Sequence, residues 1–486
     1  MQKKIWKKNE YIDLEGKVSG IPLTPVKKFW IVVSIVLPFL TNLIHFQGAP
    51  KAGLAVGIII SDLILTLSGI IGCGLSGAVL CALGIITGLL DPRKIVVSNI
   101  FFQFTGLCMI GYGVEITQLG RRFSYLTLEL FGRSPKRIVL SCLVASAILS
   151  SFLSNTATVI LMAAMCHQLL QQMDQQPGKS RFAAACMLAC AIGPCIGCGG
   201  FIQGSVGINV FSVEQITAVT KGNYVITPSQ WAIMGWSQLV ILLPVVGFLL
   251  LKFVPFDSKS ISLLPAKHYR QQRENMGKVS SLEIRWLLLL ISLIYFMLIG
   301  VDITKLMLIY IVLLIFPGIG IMDAKTAFTK AVPWEIVFSC VTLSFIGDVF
   351  TNSGLTSVFA RILIPMLKGM HPLTIMLLLS SVAAVMAMYT IGTAYANIML
   401  TITMTAPIIE ALGMNPSVVL FPVILAVNYM MGYFALPVIA PNYQYGYWKR
   451  NEISIVGTAT AACAVIVSCL VTYFFAPTLW DCSIYI

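Results

Sequence analysis

The sequence contains few charged residues, and this scarcity decides its class. Only 10% of its 486 residues are Asp, Glu, Lys or Arg, whereas 58% are hydrophobic and the mean hydropathy is +0.89. A soluble globular chain has about 25% charged residues, so a soluble protein is excluded. Long apolar runs separated by short polar segments predict an all-α polytopic membrane protein.

Histidine is scarce as well, and the few that occur do not gather into a motif. The chain has four histidines dispersed over its length, and its intramembrane carboxylates do not pair in sequence. An enzyme needs a convergent nucleophile and base or a set of metal ligands. We therefore expect no enzyme and no cofactor, although a membrane-embedded enzyme or a sensor built on a carrier fold stays open as an alternative.

Cysteine motifs are limited to a single pair. Thirteen cysteines occur, mostly in apolar runs, where they are expected to behave as small hydrophobic residues. Cys195-Ile-Gly-Cys198 has the spacing of a redox or metal motif, but neither a second pair nor a histidine accompanies it. We expect no metal ion other than transported sodium.

Most of the charge is positive, with a formal net charge of +13. The basic residues gather between apolar spans, which predicts contact with the lipid bilayer surface and no binding of nucleic acid. Residues 1–28 carry seven lysines, so the positive-inside rule makes them a cytoplasmic N-terminal segment. This segment is too polar for a cleavable signal peptide. A second basic segment, 254–283, is expected to be a cytoplasmic linker between two membrane halves, 29–253 and 284–486.

One stretch, 133–170, is too long for one membrane span and too short for two. A bilayer is crossed by about 17–25 apolar residues, whereas Pro135–Leu153 is borderline and Ala157–Leu170 is too short. The polar residues Ser154-Asn155-Thr156 separate these two runs. The pattern predicts a re-entrant helical hairpin that opens to the cytoplasm and holds its polar tip at the midplane. One tilted helix with satisfied polar residues is the alternative.

A second broken stretch, 372–409, repeats the spacing of the first. Asn155 lies 20 residues after Pro135, and Gly392 lies 20 residues after Pro372. Counting each stretch as a re-entrant hairpin gives about 11 transmembrane helices and makes the second hairpin face the outside. We therefore predict two inverted repeats, an arrangement in which paired broken segments mark the binding site of a carrier.

Several motifs resemble those of the divalent anion/sodium symporter family, which includes dicarboxylate, citrate and sulfate carriers. The motifs are Gly113-Val-Glu115-Ile-Thr-Gln-Leu-Gly120, Gly132-Arg-Ser-Pro135-Lys-Arg137, Ser154-Asn155-Thr156-Ala-Thr158 and Phe434-Ala-Leu-Pro437-Val-Ile-Ala-Pro441-Asn442. The resemblance covers roughly residues 50–475. It implies a homodimeric secondary transporter that carries a small divalent organic anion, C4-dicarboxylate or citrate-like, with sodium by elevator-type alternating access. A chain with so little beyond its membrane core suits a bacterial inner membrane.

The resemblance also implies two sodium sites that flank one anion site. The first sodium site would comprise Ser150, Ser154, Asn155, Gly197 and Gly200. The second would comprise Thr393, Ala396, Asn397 and Ala435. The substrate would contact Asn155, Thr156, Thr393, Pro441 and Asn442. Sodium is a hard cation that prefers oxygen ligands, and its charge offsets that of the anion, which agrees with the absence of arginine at both tips.

The second half departs from the family pattern. Ile391-Gly392-Thr393 stands where the family has a second Ser-Asn-Thr, and the first interrupted span carries Ser205-Val-Gly207-Ile208 with Asn209 shifted by one. A sodium-independent anion exchanger, a proton-coupled carrier and a sulfate carrier of the same fold therefore stay open as alternatives. In a proton-coupled carrier, Asp62 or Asp348 would carry the proton.

Overall fold

The computed structural model describes residues 25–67, 73–93, 99–131, 134–261, 266–343, 345–389, 394–429, 431 and 436–486. Over these ranges the chain forms helices, with no β-strand apart from two isolated bridges. This confirms the all-α class that the apolar runs predict. The predicted second tip, Ile391-Gly392-Thr393, lies outside the described residues.

The described helices of the first half include a helix pair followed by an interrupted helix. Their bounds are α1 (Pro25–Thr41), α2 (Ala52–Leu67), α3 (Cys73–Ile86), α4 (Asn99–Ile116), α5 (Leu119–Phe131), α6 (Pro135–Phe152), α7 (Asn155–Gln172), α8 (Arg181–Gly197), α9 (Val206–Val219) and α10 (Pro228–Phe253). We call α6 and α7 the first helix pair, and α8 and α9 the first broken helix. Residues 198–205, which separate α8 from α9 and end in a 3-10 turn (Ile202–Ser205), are the first break.

The second half repeats this order after a linker helix, α11 (Ala266–Asn275). Its helices are α12 (Ser281–Leu298), α13 (Ile303–Ile315), α14 (Trp334–Leu343), α15 (Ile346–Ser353), α16 (Leu355–Leu367), α17 (Pro372–Tyr389), α18 (Ala394–Ala411), α19 (Pro416–Asn428), α20 (Leu436–Tyr443) and α21 (Arg450–Leu479). We call α17 and α18 the second helix pair, and α19 and α20 the second broken helix.

The outer surface of the helices is apolar. Four of the described helices, α6, α10, α12 and α21, are long and apolar enough to cross a membrane by length and composition. Large hydrophobic side chains such as Phe248, Leu288 and Phe474 are exposed. An apolar surface of this extent suits lipid rather than water. The chain is therefore a polytopic membrane protein, whereas the number of crossings stays a prediction.

Serine side chains begin the helices of the first helix pair and the helix that follows it. Ser134, Ser154 and Ser180 each accept a hydrogen bond from the backbone N–H three residues later, at the starts of α6, α7 and α8. Such caps satisfy an N–H group that has no partner within its helix. Because Ser154 caps α7 directly after α6 ends, only Leu153 and Ser154 join the pair. The pair ends at Gln172, two residues beyond the predicted 133–170 stretch.

The centre of the molecule is formed by the first parts of the two broken helices. Every residue of α8 from Phe182 to Gly197 is buried, and so is every residue of α19. A helix that is apolar on all sides requires neighbours on all sides. Small residues make up most of α8, which lets the surrounding helices approach its backbone closely.

The two halves exchange partners around this centre. In each half, the first helix of the pair packs against the first part of the broken helix: α6 on α8, and α17 on α19. The second part of each broken helix packs instead against the other half, with α9 on α18 and α20 on α7. The two pairs and the two broken helices therefore form one interlocked body.

The linker lies against the first half. The guanidinium of Arg122 in α5 pairs with Glu283 at 2.9 Å and donates to the carbonyls of Met276, Gly277 and Lys278 at 2.8–3.1 Å. Arg273 in α11 pairs with Glu129 in α5 at 3.0 Å. The connection between the halves is thus fixed to α5 by charged hydrogen bonds, which are stronger than neutral ones.

Two glycines allow close backbone contacts of long helices: one lets α10 approach the first break, and the other lets α21 approach Met431, which follows α19. A Cβ atom on Gly235 in α10 would overlap the backbone carbonyls of Gly199 and Gly200, and one on Gly457 in α21 would overlap the carbonyl of Met431. Each glycine lies in the helix that follows its own broken helix. The close approach is therefore repeated in both halves, as expected for structural repeats.

We expect Gly235→Ala to lower the free energy of unfolding by about 1–3 kcal/mol, because the added methyl group must displace buried backbone. Unfolding in detergent micelles measures the change. Gly111→Ala is the matched control, since a Cβ at Gly111 meets no atom within 4 Å, and Ala is favoured over Gly in a helix by about 0.5–1 kcal/mol. Equal stability losses for the two variants would contradict the close approach at the first break.

Candidate functional site

The first break carries backbone carbonyls that no longer belong to a helix. The Cys198 carbonyl accepts a hydrogen bond from the Asn209 side-chain amide at 2.9 Å, and the Gly199 carbonyl accepts one from the Trp231 indole at 3.0 Å. Both donors are completely buried. Since an unpaired buried carbonyl is unfavourable, these two side chains are what allow α8 to end inside the protein.

The turn of the first helix pair lies directly against this break. Ser151 near the end of α6 donates its hydroxyl to the Gly197 carbonyl at 2.8 Å. A Cβ on Gly197 would overlap the Ala147 backbone, and one on Gly200 would lie 2.5 Å from the Ser151 hydroxyl. The two glycines predicted for the first sodium site therefore permit contact between α6 and the break, and Ser151 lies at the same contact.

Two polar groups at this contact lack an oxygen or nitrogen partner among the described residues. The Ser150 hydroxyl is fully buried and has no hydrogen-bond partner there. The Asn155 side chain is 7% exposed, and its amide nitrogen lies 3.7 Å from the Cys195 sulfur and 4.0 Å from the Cys198 sulfur. Sulfur is a weak acceptor. Buried polar groups are nearly always paired, so both groups are candidates for ligand contacts.

The other residues predicted at the first tip lie on its outer side. Ser154 and Thr156 are exposed, whereas Asn155 between them is buried. The Ser154 hydroxyl is used to cap α7 by accepting from the Ala157 N–H at 3.3 Å. The structure thus brings the end of α6 against Gly197 and Gly200 and brings Asn155 to Cys195 and Cys198, whereas Ser154 and Thr156 are exposed.

A buried amide pair links the two broken helices. The Asn428 amide, in the last residue of α19, donates to the Asn209 side-chain oxygen at 2.8 Å. Both residues are 0% exposed, and the Asn428 side-chain oxygen has no hydrogen-bond partner in the described part of the chain. Sequence reasoning missed Asn428. The available signal was an asparagine at the end of an otherwise apolar run directly before the second interruption.

The predicted second sodium site is only partly described. Thr393 and Ala435 lie outside the described residues, and Ala396 belongs to the first turn of α18. Asn397 is buried, and its carbonyl accepts from the Thr401 hydroxyl at 2.7 Å. The second site therefore stays a prediction.

Asn442 and Pro441, predicted to contact the substrate, lie in α20 away from the first tip. The Asn442 amide donates to the Met187 carbonyl at 2.9 Å and accepts from the Trp448 indole at 2.7 Å. Cys195, which touches Asn155, lies eight residues after Met187 in α8. The two contact points are therefore separated by a rise of about 12 Å along the helix. The structure does not bring Asn442 and Asn155 together, and it gives the Asn442 side chain partners within the protein.

The intramembrane carboxylates and His167 lie elsewhere. Asp62 in α2 is buried and hydrogen-bonds Ser76, but its Oδ1 atom has no partner in the described ranges. Asp348 in α15 is half-buried. His167 packs 4.6 Å from the Tyr445 ring and hydrogen-bonds the Tyr447 hydroxyl at 3.0 Å.

A further carboxylate was missed by the sequence analysis. Glu214 in α9 accepts a hydrogen bond from the Gln103 amide of α4 at 2.9 Å, and the same amide reaches the Thr304 hydroxyl of α13 at 2.9 Å. These contacts tie α9 to helices outside the interlocked body.

The chain matches known transport proteins over most of its length. A family model described as "Sodium:sulfate symporter transmembrane region" matches residues 39–483. Similar relatives include the sodium-dependent dicarboxylate transporter SdcS of Staphylococcus aureus strain USA300, 26% identical over 78% of this chain and 77% of that protein. SdcS of strain MRSA252 is also 26% identical over the same shares.

Two solved structures have the same overall fold at low sequence identity. One is MtrF of Neisseria gonorrhoeae, described as illuminating a class of antimetabolite efflux pumps, with a TM-score of 0.51, 13% identity and coverage of 92% of this chain and 97% of that one. The other is the YdaH transporter of Alcanivorax borkumensis, with a TM-score of 0.50, 13% identity and coverage of 88% and 98%. At this identity the likeness concerns the fold alone.

We expect the Asn209–Asn428 pair to be energetically coupled. Asn209→Ala and Asn428→Ala should each lower the free energy of unfolding by about 1–3 kcal/mol, because each leaves buried partners unpaired. The double variant should lose less than the sum, with a coupling energy of about 0.5–3 kcal/mol. Unfolding of the four proteins in micelles measures it. Asn209→Ala combined with Asn442→Ala is the control pair, for which the losses should add; an additive Asn209–Asn428 pair would contradict the contact.

Proposed function

Because this chain belongs to the family of sodium:sulfate symporter transmembrane regions, we propose that it is a secondary active transporter that imports a small divalent organic anion together with sodium. The family and its named relatives are transporters rather than enzymes. The relative SdcS is named a sodium-dependent dicarboxylate transporter, which supports sodium as co-substrate and a C4-dicarboxylate or citrate-like anion.

The observation that carries the proposal is the pair of unsatisfied oxygen-bearing groups at the first tip. The Ser150 hydroxyl has no partner in the described part of the chain, and the Asn155 amide meets only sulfur atoms. A sodium ion prefers hydroxyl, amide and carbonyl oxygens. An ion at this point would meet Ser150 and Asn155 on one side and the unwound backbone of the first break on the other. Sodium site 1 is therefore proposed here.

The anion would bind beside this ion at the beginning of α7. The first N–H groups of a helix have no partner inside the helix and carry partial positive charge. The exposed Thr156 hydroxyl lies in the same turn. Sodium would order the tip and offset the charge of the anion, so that each ligand favours binding of the other. Such coupling must be reciprocal.

The interlocked packing supports transport by movement of one body. The two helix pairs and the two broken helices hold each other, so they would move together as the transport domain of an elevator, with the two pairs as re-entrant hairpins of inverted repeats. The remaining helices would form the scaffold of a homodimer. About 11 crossings with a cytoplasmic N-terminus would orient the chain in a bacterial inner membrane.

Proton coupling is the second candidate, and one observation favours it. Asp62 is a buried carboxylate whose Oδ1 atom has no partner in the described part of the chain. An intramembrane acid in this state is a candidate proton carrier. It lies in α2, outside the interlocked body.

Uptake of labelled succinate into proteoliposomes tests the proposal. We expect an inward sodium gradient to drive uptake, and Ser150→Ala and Asn155→Ala to reduce sodium-driven uptake by about tenfold or more, because each removes a proposed ligand oxygen. Ser237→Ala is the control, since that half-buried serine only bonds its own helix through the Ile233 carbonyl. Uptake that ignores sodium and is lost in Asp62→Asn would instead support proton coupling.

Sodium should also stabilise the folded protein without substrate. At 100 times its dissociation constant a ligand raises the free energy of unfolding by about 2.7 kcal/mol. Thermal unfolding in sodium chloride and in choline chloride at equal ionic strength measures the shift. We expect the shift in wild type and Ser237→Ala and not in Ser150→Ala. A shift of equal size in Ser150→Ala would place the ion elsewhere.

A further inference from the structure

Three cysteines that are distant in sequence meet inside the first half. Cys142 of α6, Cys166 of α7 and Cys190 of α8 are buried, and their three sulfur atoms all lie within 4.8 Å of one another. Cys186 lies one turn before Cys190 in α8 and is buried as well. All four are free thiols. Their scattered positions gave no motif, so the sequence analysis treated them as small hydrophobic residues.

The spacing of the sulfur atoms suits a single metal ion. A zinc-like ion holds thiolate sulfur at about 2.3 Å, which places three sulfurs around one ion about 4 Å apart. The three side chains come from three different helices. Ordinary hydrophobic packing would not require three thiols from three helices to converge on one point.

A small cavity with unpaired hydroxyl groups adjoins the cluster. It has a volume of about 20 Å³ and is lined by Cys142 and Cys166 together with Ser141 of α6 and Tyr269 of α11. The Ser141 and Tyr269 hydroxyls are buried and have no hydrogen-bond partner in the described part of the chain. A cavity of this size has room for one water molecule beside the cluster. Hydroxyl donors beside the thiols would also stabilise the negative charge of thiolates.

We propose that Cys142, Cys166 and Cys190 bind one thiophilic d10 cation, of the class of Cu⁺, Zn²⁺ and Cd²⁺. Each coordinating thiol releases one proton to solvent as its thiolate binds the ion. Soft thiolates select soft or borderline cations over hard sodium, so this site is chemically distinct from the proposed sodium site. The bound ion would join both helices of the first helix pair to α8.

The position of the cluster gives the site a structural consequence. Cys190 lies five residues before Cys195, and Cys142 lies eight residues before Ser150, on the same helices that form the proposed sodium site. The ion would therefore hold these helices together roughly 8–12 Å from the tip. The proposed metal site does not depend on which anion or coupling ion the protein transports.

Metal titration of the reduced full-length protein in detergent tests the proposal. After treatment with a chelator, Cd²⁺ is added and the ultraviolet charge-transfer band of cadmium–thiolate bonds is followed together with proton release. We expect the band to saturate at one equivalent per chain, and Zn²⁺ and Cu⁺ competition to rank the three cations. Cys142→Ala, Cys166→Ala and Cys190→Ala should each weaken Cd²⁺ binding by at least about tenfold.

Cys81→Ala and Cys469→Ala are the matched controls, because both remove a buried thiol outside the cluster. Both control variants should show the cadmium–thiolate charge-transfer band at one equivalent of Cd²⁺. The melting temperature of each variant without metal identifies a misfolded protein, and Cd²⁺ should raise it in wild type and the controls only. A missing band at one equivalent, a band kept in the three cluster variants, or equal loss in the controls would overturn the proposal. Loss only in Cys195→Ala or Cys198→Ala would overturn it as well, by assigning the ion to that pair.

Discussion

A helix that ends inside an apolar protein must find partners for its last carbonyl groups, and this requirement organises the structure. At the first break, the partners are Asn209, Trp231 and Ser151, which reach the carbonyls of Cys198, Gly199 and Gly197. They come from α9, α10 and α6. Three neighbouring elements are therefore positioned by one interruption, and the polar groups that they leave unused define the proposed ion site.

The same requirement explains why the halves exchange partners. The side-chain NH₂ group of Asn209 donates to the Cys198 carbonyl at the first break. Its side-chain oxygen accepts a hydrogen bond from Asn428 at the end of α19. One side chain thus connects both interruptions. A ligand that changes the first break changes a group that the second half contacts directly, which gives a physical route for coupling between the two predicted ion sites.

The parts of the structure that depend on local chemistry were predictable, and the parts that depend on which helices meet were not. Ser154-Asn155-Thr156 marked the turn of the first pair because these polar residues separate two apolar runs, and the structure shows that Ser154 caps the second helix. Gly197 and Gly200 were assigned by resemblance, and the structure shows that they allow a close approach to α6. Ser151 and Asn428 act across helices. Ser151 has no signal in its neighbours along the chain, and the position of Asn428 at the end of an apolar run does not indicate its partner, Asn209. The motif around Asn442 could be recognised in the sequence, but its contacts could not. Its side-chain amide donates to the Met187 carbonyl, away from the first tip.

The exchange of partners also sets the order in which the protein can assemble. Helix α9 contacts α18, which begins at Ala394, so Asn209 and its neighbours enter the membrane long before their final partner is synthesised. At about 5–20 residues per second, the delay is roughly 10–40 s. During this time the polar side chains of α9 must be shielded by water, lipid head groups or the insertion machinery. Assembly of the interlocked body is therefore completed late, and a ribosome that stops in the second half leaves the first half without its closing contacts.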